Sequence, residues 1–447
     1  MPFIIPANTL ASGGFDVANS ARFDGSSYLH RTPSATGNPK KWTYSVWVKM
    51  AQENPGYFLA SGSGTQAKFI FGAYGGADID ILTYEGYVIA AKTARLFRDS
   101  GAWYNIILAV DTTQSAAADG VKLYINGVLE TLTLNSVGSE NGYTQNTSLR
   151  VGTNNEPIHI GRDINDSGHW KGYMAECALV NDAQLDADQF GEFDEDSGIW
   201  KPIDISGLTF GTNGFYLDFK DSSAFGNDVS GNNNDFTVVG LAATDQSTDT
   251  CTNNFATMNP LDNFYAASTF SQGNLNVDMA TSGNETFNTS TIGVSSGKWY
   301  VEIDHPDASA KPMTGITSHT HTAIGDVLGH NNSYAYKGEN GSIFIDNSNG
   351  SFGATYGNDD IIGIALDLDN NKLYFSKNGS FQNSGDPTSG STGTGAVSIT
   401  DPASTILGAY FFAAGKRHND NNEVSWNFGS PNHSISSGNA DGNGYGD

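Results

Sequence analysis

The sequence predicts an all-β fold made of two antiparallel β-sandwiches. The chain has 447 residues, which is enough for two sandwiches of about 200 residues each. Its 53 glycines, together with many Asn and Asp residues, separate short apolar stretches, a pattern typical of strands joined by tight turns. Few stretches repeat apolar residues at the helical period, so we expect little helix.

Charge and cysteine content restrict the function classes. The chain carries 48 acidic and 22 basic residues, a net charge of −26. No basic stripe is present to displace counterions, so we expect no nucleic-acid partner. Only Cys177 and Cys251 are present, too few for a disulfide scaffold. No apolar run approaches the roughly 20 residues of a membrane helix, so we expect no membrane insertion.

The first 14 residues are predicted to form an arm. Pro2 and Pro6 bracket the apolar Phe3-Ile-Ile, and glycines follow at 13 and 14. The segment is too short to form a core alone. We expect it to dock on another chain, or to add an edge strand or fray.

The first sandwich is expected over residues 15–243. Its strand candidates alternate apolar and polar residues or are apolar on both faces, as in a sandwich. In order they resemble the laminin-G-like, concanavalin-type lectin/glucanase jelly roll. The stretches that carry the resemblance are Ala21–Leu29, Trp42–Val48, Leu123–Gly127, Ile160–Arg162 and Gly172–Val180.

Two later segments extend this resemblance. Residues 181–190, which follow the last of those strands, are predicted to form a short helix. Phe215–Phe219 and the turn Asn227–Asp235 also match the family, in which they usually open the domain. Their late position implies either a permuted strand order or a chance match.

The second sandwich is expected over residues 276–430, after a linker and entry strand at 244–275 and before a flexible tail at 431–447. Asp359–Gly379 predicts a hairpin. With Gly297–Ile303 before it and Glu423–Gly429 after it, it resembles a SPRY (B30.2-like) domain. The predicted core of this domain is Trp299, Val301, Ile362, Ile364, Leu366, Phe375, Val424, Trp426 and Phe428.

Two kinds of ligand site are candidates. Aromatic residues in polar loops can stack on sugar rings, and by this criterion His169, Trp170, Tyr334 and Tyr336 are candidate glycan-binding residues; each could instead pack inside the protein. Hard oxygen ligands of the kind that Ca²⁺ prefers occur at Asp228, Asn232, Asn234 and Asp235. The alternative for this set is a hydrogen-bonded turn without an ion. No other cofactor is indicated.

Catalysis is not expected. Glu302-Ile-Asp-His-Pro-Asp307 is similar to the carboxylate motif of laminarinase-like glycosidases, but it lies in the SPRY-like part and Pro306 interrupts its strand. His319 and His321 could hold a metal, yet no third ligand is evident nearby. No serine-hydrolase, P-loop or dinucleotide motif is visible.

Over nearly the whole chain, the pairing of these two domains resembles structural proteins of tailed bacteriophages, especially marine ones. Phe3–Leu10 and Lys40–Lys49 also look like that group. The resemblance implies a virion fibre, tail or capsid-surface protein that binds host glycans, located in the virion. The alternatives are a purely architectural virion protein and a glycoside hydrolase. The partners expected are other virion proteins, copies of the chain in a homo-oligomer (a trimer is favoured) and a host cell-surface glycan.

Overall fold

The structure, a computed structural model, describes residues 14–52, 55–63, 68–74, 80–85, 89–134, 143–263, 268–279, 285–308, 311–319, 328–330, 332–417 and 422–433. The predicted arm, apart from Gly14, and the predicted tail beyond residue 433 lie outside the described residues. The chain forms two compact units, the first ending at Asn254 and the second beginning at Phe255.

The first unit contains eighteen strands within its described residues. They are β1 (Ser20–Asp24), β2 (Tyr28–Arg31), β3 (Lys41–Met50), β4 (Gly56–Gly62), β5 (Lys68–Tyr74), β6 (Asp80–Glu85), β7 (Ile89–Thr93), β8 (Trp103–Asp111), β9 (Val121–Ile125), β10 (Val128–Leu129), β11 (Leu132–Leu134), β12 (Ile158–Ile160), β13 (Lys171–Asn181), β14 (Gly191–Phe193), β15 (Trp200–Pro202), β16 (Phe215–Leu217), β17 (Thr237–Val239) and β18 (Gln246–Ser247).

Sixteen of these strands form two large antiparallel sheets, and β14 pairs with β15 in a separate two-stranded sheet. Sheet I has the order β10-β9-β8-β3-β13-β1-β18, with β16 also paired to β13; sheet II has the order β11-β7-β6-β5-β4-β12-β2-β17. Side chains of both sheets, such as Trp42 and Leu29, share one buried core. The opposite face of sheet I is covered by residues of the segment 183–210, including Phe190 and Trp200.

The second unit contains fourteen strands within its described residues. They are β19 (Thr269–Ser271), β20 (Asn276–Asp278), β21 (Thr286–Val294), β22 (Lys298–Ala308), β23 (Pro312–Thr317), β24 (Ser333–Lys337), β25 (Ser342–Ile345), β26 (Ser348–Ser351), β27 (Ile361–Asp367), β28 (Lys372–Lys377), β29 (Ser380–Phe381), β30 (Val397–Ser398), β31 (Tyr410–Lys416) and β32 (Asn422–Asn427).

Two antiparallel sheets again enclose a core. Sheet III has the order β19-β20-β32-β22-β27-β28-β29, with β30 on β28; sheet IV has the order β21-β31-β23-β24-β25-β26. The predicted hairpin is β27–β28, in which Ile364 pairs with Phe375. The fold prediction of two antiparallel sandwiches is therefore confirmed.

Helical structure is limited to single turns among the described residues. One α-helical turn, α1, spans Ala117–Gly120. The remaining turns are 3-10 turns, at Ala187–Gln189, Ala243–Asp245, Gln272–Asn274, Gln382–Ser384, Gly390–Thr392 and Pro402–Ser404. No described helix is long and apolar enough to cross a membrane.

The short helix predicted at 181–190 is reduced to the turn Ala187–Gln189. Thr43 of β3 accounts for the difference, because its hydroxyl donates to the Ala183 carbonyl at 2.9 Å and accepts from the Leu185 amide at 2.8 Å. These bonds occupy backbone groups that a helix would need.

The predicted core of the second unit is correct except at Trp299. That side chain is 39% exposed and its indole nitrogen donates to the Ser296 carbonyl at 2.7 Å. Trp299 is the second residue of β22, and the first three residues of this strand are all exposed. Trp426, by contrast, is fully buried and stacks on Phe428 with ring centres 5.0 Å apart.

The first part of the predicted linker and entry strand at 244–275 is incorrect, whereas a strand that enters the second sandwich is present as β19. Gln246 and Ser247 extend sheet I by pairing with β1. Further along, Asp249 is buried and forms an ion pair with Lys49 at 2.7 Å, which fixes this segment to the first unit. From Phe255 onward the chain belongs to the second unit.

The segment 215–239 joins the first sandwich. Its first strand, β16, pairs with β13 and contributes Phe215 and Leu217 to the core. Its second strand, β17, pairs with β2 and so forms the edge of sheet II. The predicted tail begins later than 431, since Asn432 still bonds Ser425 and Asn276 of sheet III.

Candidate functional site

Two strands of sheet II turn aromatic and imidazole side chains away from the core. In β2, Leu29 is buried in the core, whereas Tyr28 and His30 on either side of it are half-buried. In β12, His159 stands between two isoleucines that belong to the core. Because side chains alternate along a strand, Tyr28, His30 and His159 share the outward face of the sheet.

Strand pairing brings these rings together. His30 lies directly opposite His159 in the ladder, and their ring centres are 5.9 Å apart at an angle of 22°. The Tyr28 ring is 5.8 Å from that of His30. A third imidazole, that of His169 just before β13, lies 6.0 Å from the Tyr28 ring and nearly parallel to it. The face therefore carries three imidazoles around one phenol.

Arg162 connects the rings to an acidic loop. Its guanidinium carbon lies 3.6 Å from the centre of the Tyr28 ring, a cation–π contact. Its Nε donates to Nδ1 of His159 at 3.1 Å, which leaves the His159 proton on Nε2. The guanidinium also pairs with Asp166, whose Oδ1 lies 3.2 Å from Nε2 of His169.

A tight loop before β13 positions Asp166 and His169. Asp163 holds it, because its Oδ1 accepts from the amides of Asn165 at 2.8 Å and Ser167 at 2.9 Å. Gly168 then passes against the ring of Tyr57: a Cβ there would lie 2.3 Å from a ring carbon. Its φ of +58° also favours glycine.

His159 is neutral at physiological pH. Burial, followed by the nearby charges of Arg162 and His30, lowers its pKa to about 4. Its Nε2–H is therefore a donor without a charge. We name this surface the imidazole face and define it by Tyr28, His30, His159, Arg162, Asp166 and His169. It offers ring surfaces and N–H donors, a combination that suits the hydroxyl and carboxylate oxygens of sugars.

Of the four predicted glycan-binding residues, only His169 lies in the imidazole face. Trp170 is fully buried and packs on Phe58 with ring centres 4.8 Å apart. Tyr334 is 5% exposed and Tyr336 is fully buried, both in the core of the second unit. These three predictions are wrong. The sequence pattern predicts exposed aromatic residues in polar loops, whereas each of these side chains points into the protein.

The predicted calcium ligands do come together, but as a hydrogen-bonded loop. Both carboxylate oxygens of Asp228 accept backbone amides, including those of Tyr216 at 2.9 Å and Asn234 at 2.8 Å. Asp235 accepts from the Asp228 amide at 2.9 Å. The structure thus favours the turn that was the alternative to an ion site.

The two amides of this loop have the same role. Asn232 donates to the carbonyls of Gly211 and Gly214 at 2.8 and 3.0 Å. The side-chain oxygen of Asn234 accepts from the guanidinium of Arg31. These oxygens hold the turn between β16 and β17, and calcium at this loop stays a prediction.

The carboxylates of the second unit lie on the outward side of β22. Glu302 and Asp304 alternate with buried core residues, and a register shift of β22 against β32 follows before Asp307. His319 is described but His321 lies outside the described residues. Across the described part of the chain, no group of three or more His, Cys, Asp or Glu is arranged to hold a metal.

Most of the imidazole face was not predicted from the sequence. Tyr28 and His30 flank a core leucine, and His159 stands between two isoleucines. This alternation was the available signal, since polar residues at such positions face outward. The sequence does not show that β2 and β12 are neighbours. Their pairing depends on the arrangement of the whole sandwich.

Comparison with protein families supports both domains. Residues 23–188 match the model of the concanavalin A-like lectin/glucanases superfamily, a region that includes the whole imidazole face. Residues 296–398 match the model of the SPRY domain. No curated protein matches the chain.

Solved structures with similar sandwiches have low identity. A human SPRY domain is 16% identical, with a TM-score of 0.27, over 36% of this chain and 94% of that chain. A pentraxin from Limulus polyphemus is 12% identical, with a TM-score of 0.29, over 38% and 80%. A Bacteroides ovatus protein described as a carbohydrate-binding candidate is 14% identical, with a TM-score of 0.34, over 51% and 61%. The family matches thus assign the chain a concanavalin-like lectin/glucanase domain followed by a SPRY domain.

Proposed function

We propose that this protein binds carbohydrate through the imidazole face of its first domain. The observation that carries the proposal is the packing of His30, His159 and His169 around Tyr28 on the outward side of a lectin-type sandwich. Imidazole N–H groups donate to sugar oxygens, and imidazole rings offer flat surfaces to the C–H faces of pyranoses. Fold alone would not suffice, because function depends on the site.

The chemistry of the face favours sugars that present acceptor groups. Arg162 and the three imidazoles supply nitrogen donors, and Asp166 is the one carboxylate among the six residues. Uronic acids and other acidic sugars therefore match the face better than amino sugars. A partner with many ammonium groups would meet donors instead of acceptors.

The test is a glycan array on the full chain, followed by calorimetric titration with the best ligand and with a galacturonate tetramer. His30→Ala should weaken binding at least tenfold, about 1.4 kcal/mol, because it removes the central imidazole. The matched control is His330→Ala, which removes a half-buried histidine of the second unit and should bind like the wild type. Unchanged binding by His30→Ala would refute the site, and an array without any bound glycan would refute the function.

We further propose that the protein is a virion component of a tailed bacteriophage, assembled in the host cytoplasm with other virion proteins. The support is the resemblance of Phe3–Leu10 and Lys40–Lys49 to such proteins and the pairing of the two domains. Many weak sugar contacts gain avidity when a chain is repeated, which favours a homo-oligomer such as a trimer. Deletion of residues 2–12 should lower incorporation into particles; normal size and incorporation would contradict a docking role for this arm.

An architectural virion protein is the competing function, and the glycan array separates the two because such a protein would bind no sugar. We propose that the chain is not an enzyme. Incubation with the glycans that it binds should release no reducing sugar, and Glu302→Gln should bind them unchanged. Release that disappears in Glu302→Gln would establish a glycoside hydrolase instead.

A further inference from the structure

An exposed tyrosine lies on the outward face of sheet III in the second unit. Tyr300 precedes Val301 and Ile303, which point into the core, so Tyr300 and Glu302 point outward. The side chain of Tyr300 is 48% exposed, among the most exposed large aromatic residues in the described chain. It therefore presents a ring surface without a covering layer.

The tyrosine ring rests on a glycine of the neighbouring strand. Gly363 of β27 lies opposite Glu302, and a Cβ built on Gly363 would be 2.5 Å from the Tyr300 hydroxyl oxygen and 3.1 Å from a ring carbon. The ring therefore extends from β22 across the backbone of β27. Glycine permits this close approach, and the ring is held flat against the sheet.

Hydrogen-bond acceptors surround this ring. The Tyr300 hydroxyl donates to Oε1 of Glu302 at 2.8 Å, so it is already used. Asp304, the next outward residue of β22, lies opposite the exposed Ile361. Glu302 and Asp304 thus leave carboxylate oxygens beside an aromatic surface and an exposed aliphatic side chain.

The adjacent strands make the same surface acidic. Asp278, Glu423 and Asp307 lie opposite one another across β20, β32 and β22. The pKa of Glu423 is raised, first by burial and then by the neighbouring carboxylates. The second effect is expected where like charges are adjacent. An anionic ligand would be repelled from this surface, whereas hydroxyl and ammonium donors would be attracted.

We propose that Tyr300, Gly363, Glu302 and Asp304 form a second carbohydrate site, for neutral and amino-bearing pyranoses. The ring of Tyr300 receives the C–H face of one sugar, and Glu302 and Asp304 accept from its hydroxyl or ammonium groups. Charge complementarity selects the occupant, because carboxylates outnumber cations here: Lys298, the outward residue before Tyr300, is already paired with Asp367 at 2.6 Å. This site is independent of the imidazole face and of the function proposed for it.

The experiment is calorimetric titration of the full chain with a glucosamine tetramer, a cellotetraose and a galacturonate tetramer. We expect the glucosamine tetramer to bind best and to weaken as salt is added, with cellotetraose second. Tyr300→Ala should weaken both at least tenfold. It should leave galacturonate binding unchanged, because that ligand is repelled from this surface.

Gly363→Ala tests the geometry without removing the ring. The new Cβ meets only the ends of the Tyr300 and Ser376 side chains, so the fold should persist while the ring is displaced, and we expect a threefold or greater loss of affinity. Gly357→Ala, with no contact closer than 3.8 Å, is the matched control and should bind normally.

The outcomes separate this proposal from the first. Loss of glucosamine binding in Tyr300→Ala but not in His30→Ala supports the second site whatever the imidazole face does. The proposal is overturned if neither neutral nor amino sugar binds at millimolar concentration, or if Tyr300→Ala binds them like the wild type. An equal loss of sugar affinity in Gly357→Ala and Gly363→Ala would show that Gly363 has no specific role in the site. A protein that binds this surface while the sugars do not would identify an occupant of another class.

Discussion

The two domains present outward faces that are built alike but are chemically opposite. In each, residues alternate with core residues along a strand, so a tyrosine and its polar neighbours point outward. Around Tyr28 the neighbours are three imidazoles and Arg162, which donate hydrogen bonds. Around Tyr300 they are Glu302 and Asp304, which accept them. The ring of Tyr28 is covered by a guanidinium, whereas the ring of Tyr300 is half exposed.

This difference shows how similar sandwiches can carry different specificities. Alternation along a strand decides that a face exists, but the residue types on it decide which ligand it attracts. The chain has a net charge of −26. The imidazole face, with its nitrogen donors, differs from this general acidity, whereas the carboxylates around Tyr300 add to it. The two faces should therefore respond in opposite ways to ligand charge.

The largest expected effect concerns the cores beneath the two faces. Trp170→Ala and Trp426→Ala should each lower the free energy of unfolding by about 3–5 kcal/mol, because each indole is fully buried. Trp299→Ala, the exposed control, should cost under about 1 kcal/mol. Urea unfolding measures all three. A small loss in Trp426→Ala would place that side chain on the surface and shift the register of β32.

The outer face of sheet I is covered by other residues, unlike the faces around Tyr28 and Tyr300. Glu176, at a bulge of β13, is 4% exposed and accepts from the Tyr216 hydroxyl. Burial raises its pKa from 4.5 to about 7. The folded protein thus binds this proton more tightly than the unfolded one, so stability present below pH 4.5 is lost as pH rises through 7, by up to about 3 kcal/mol. Glu176→Gln should be insensitive to that rise.

His159 should give the opposite pH dependence in the same unit. Its pKa is lowered from 6.5 to about 4, chiefly by burial. The unfolded chain therefore binds this proton more tightly, and stability present above pH 6.5 is lost as pH falls toward 4. We expect roughly 2 kcal/mol, less than the full shift because the imidazole face borders solvent. His159→Gln should reduce this acid sensitivity, as measured by urea unfolding at pH 4.5 and 7.5; an unchanged sensitivity would mean that His159 is charged in the fold.

The smallest effect expected is on the contact between Arg162 and Tyr28. Arg162→Lys keeps the charge but loses the planar stacking and the bond to His159. We expect a threefold to fivefold loss of affinity for the acidic glycan, below 1 kcal/mol, with no change for the glucosamine tetramer. A loss for both ligands would indicate that the substitution disturbs the fold and not one face.

Sequence patterns predicted the sandwiches and most of the second core, including the β27–β28 hairpin, because side-chain alternation and turn residues are local properties. They failed where aromatic residues expected in polar loops lie on a strand: Tyr334 and Tyr336 belong to β24 and both point inward. They also failed at Trp299, because side chains near the end of a strand can be exposed to solvent. The imidazole face required the pairing of β2 with β12, which no local pattern specifies.

The central claim is that the two faces bind sugars of opposite charge preference. The most direct test is titration of wild type, His30→Ala and Tyr300→Ala with galacturonate and glucosamine tetramers under identical conditions. We expect His30→Ala to lose galacturonate alone and Tyr300→Ala to lose glucosamine alone, each at least tenfold. Loss of both ligands in one variant, or of neither ligand in either variant, would contradict the account.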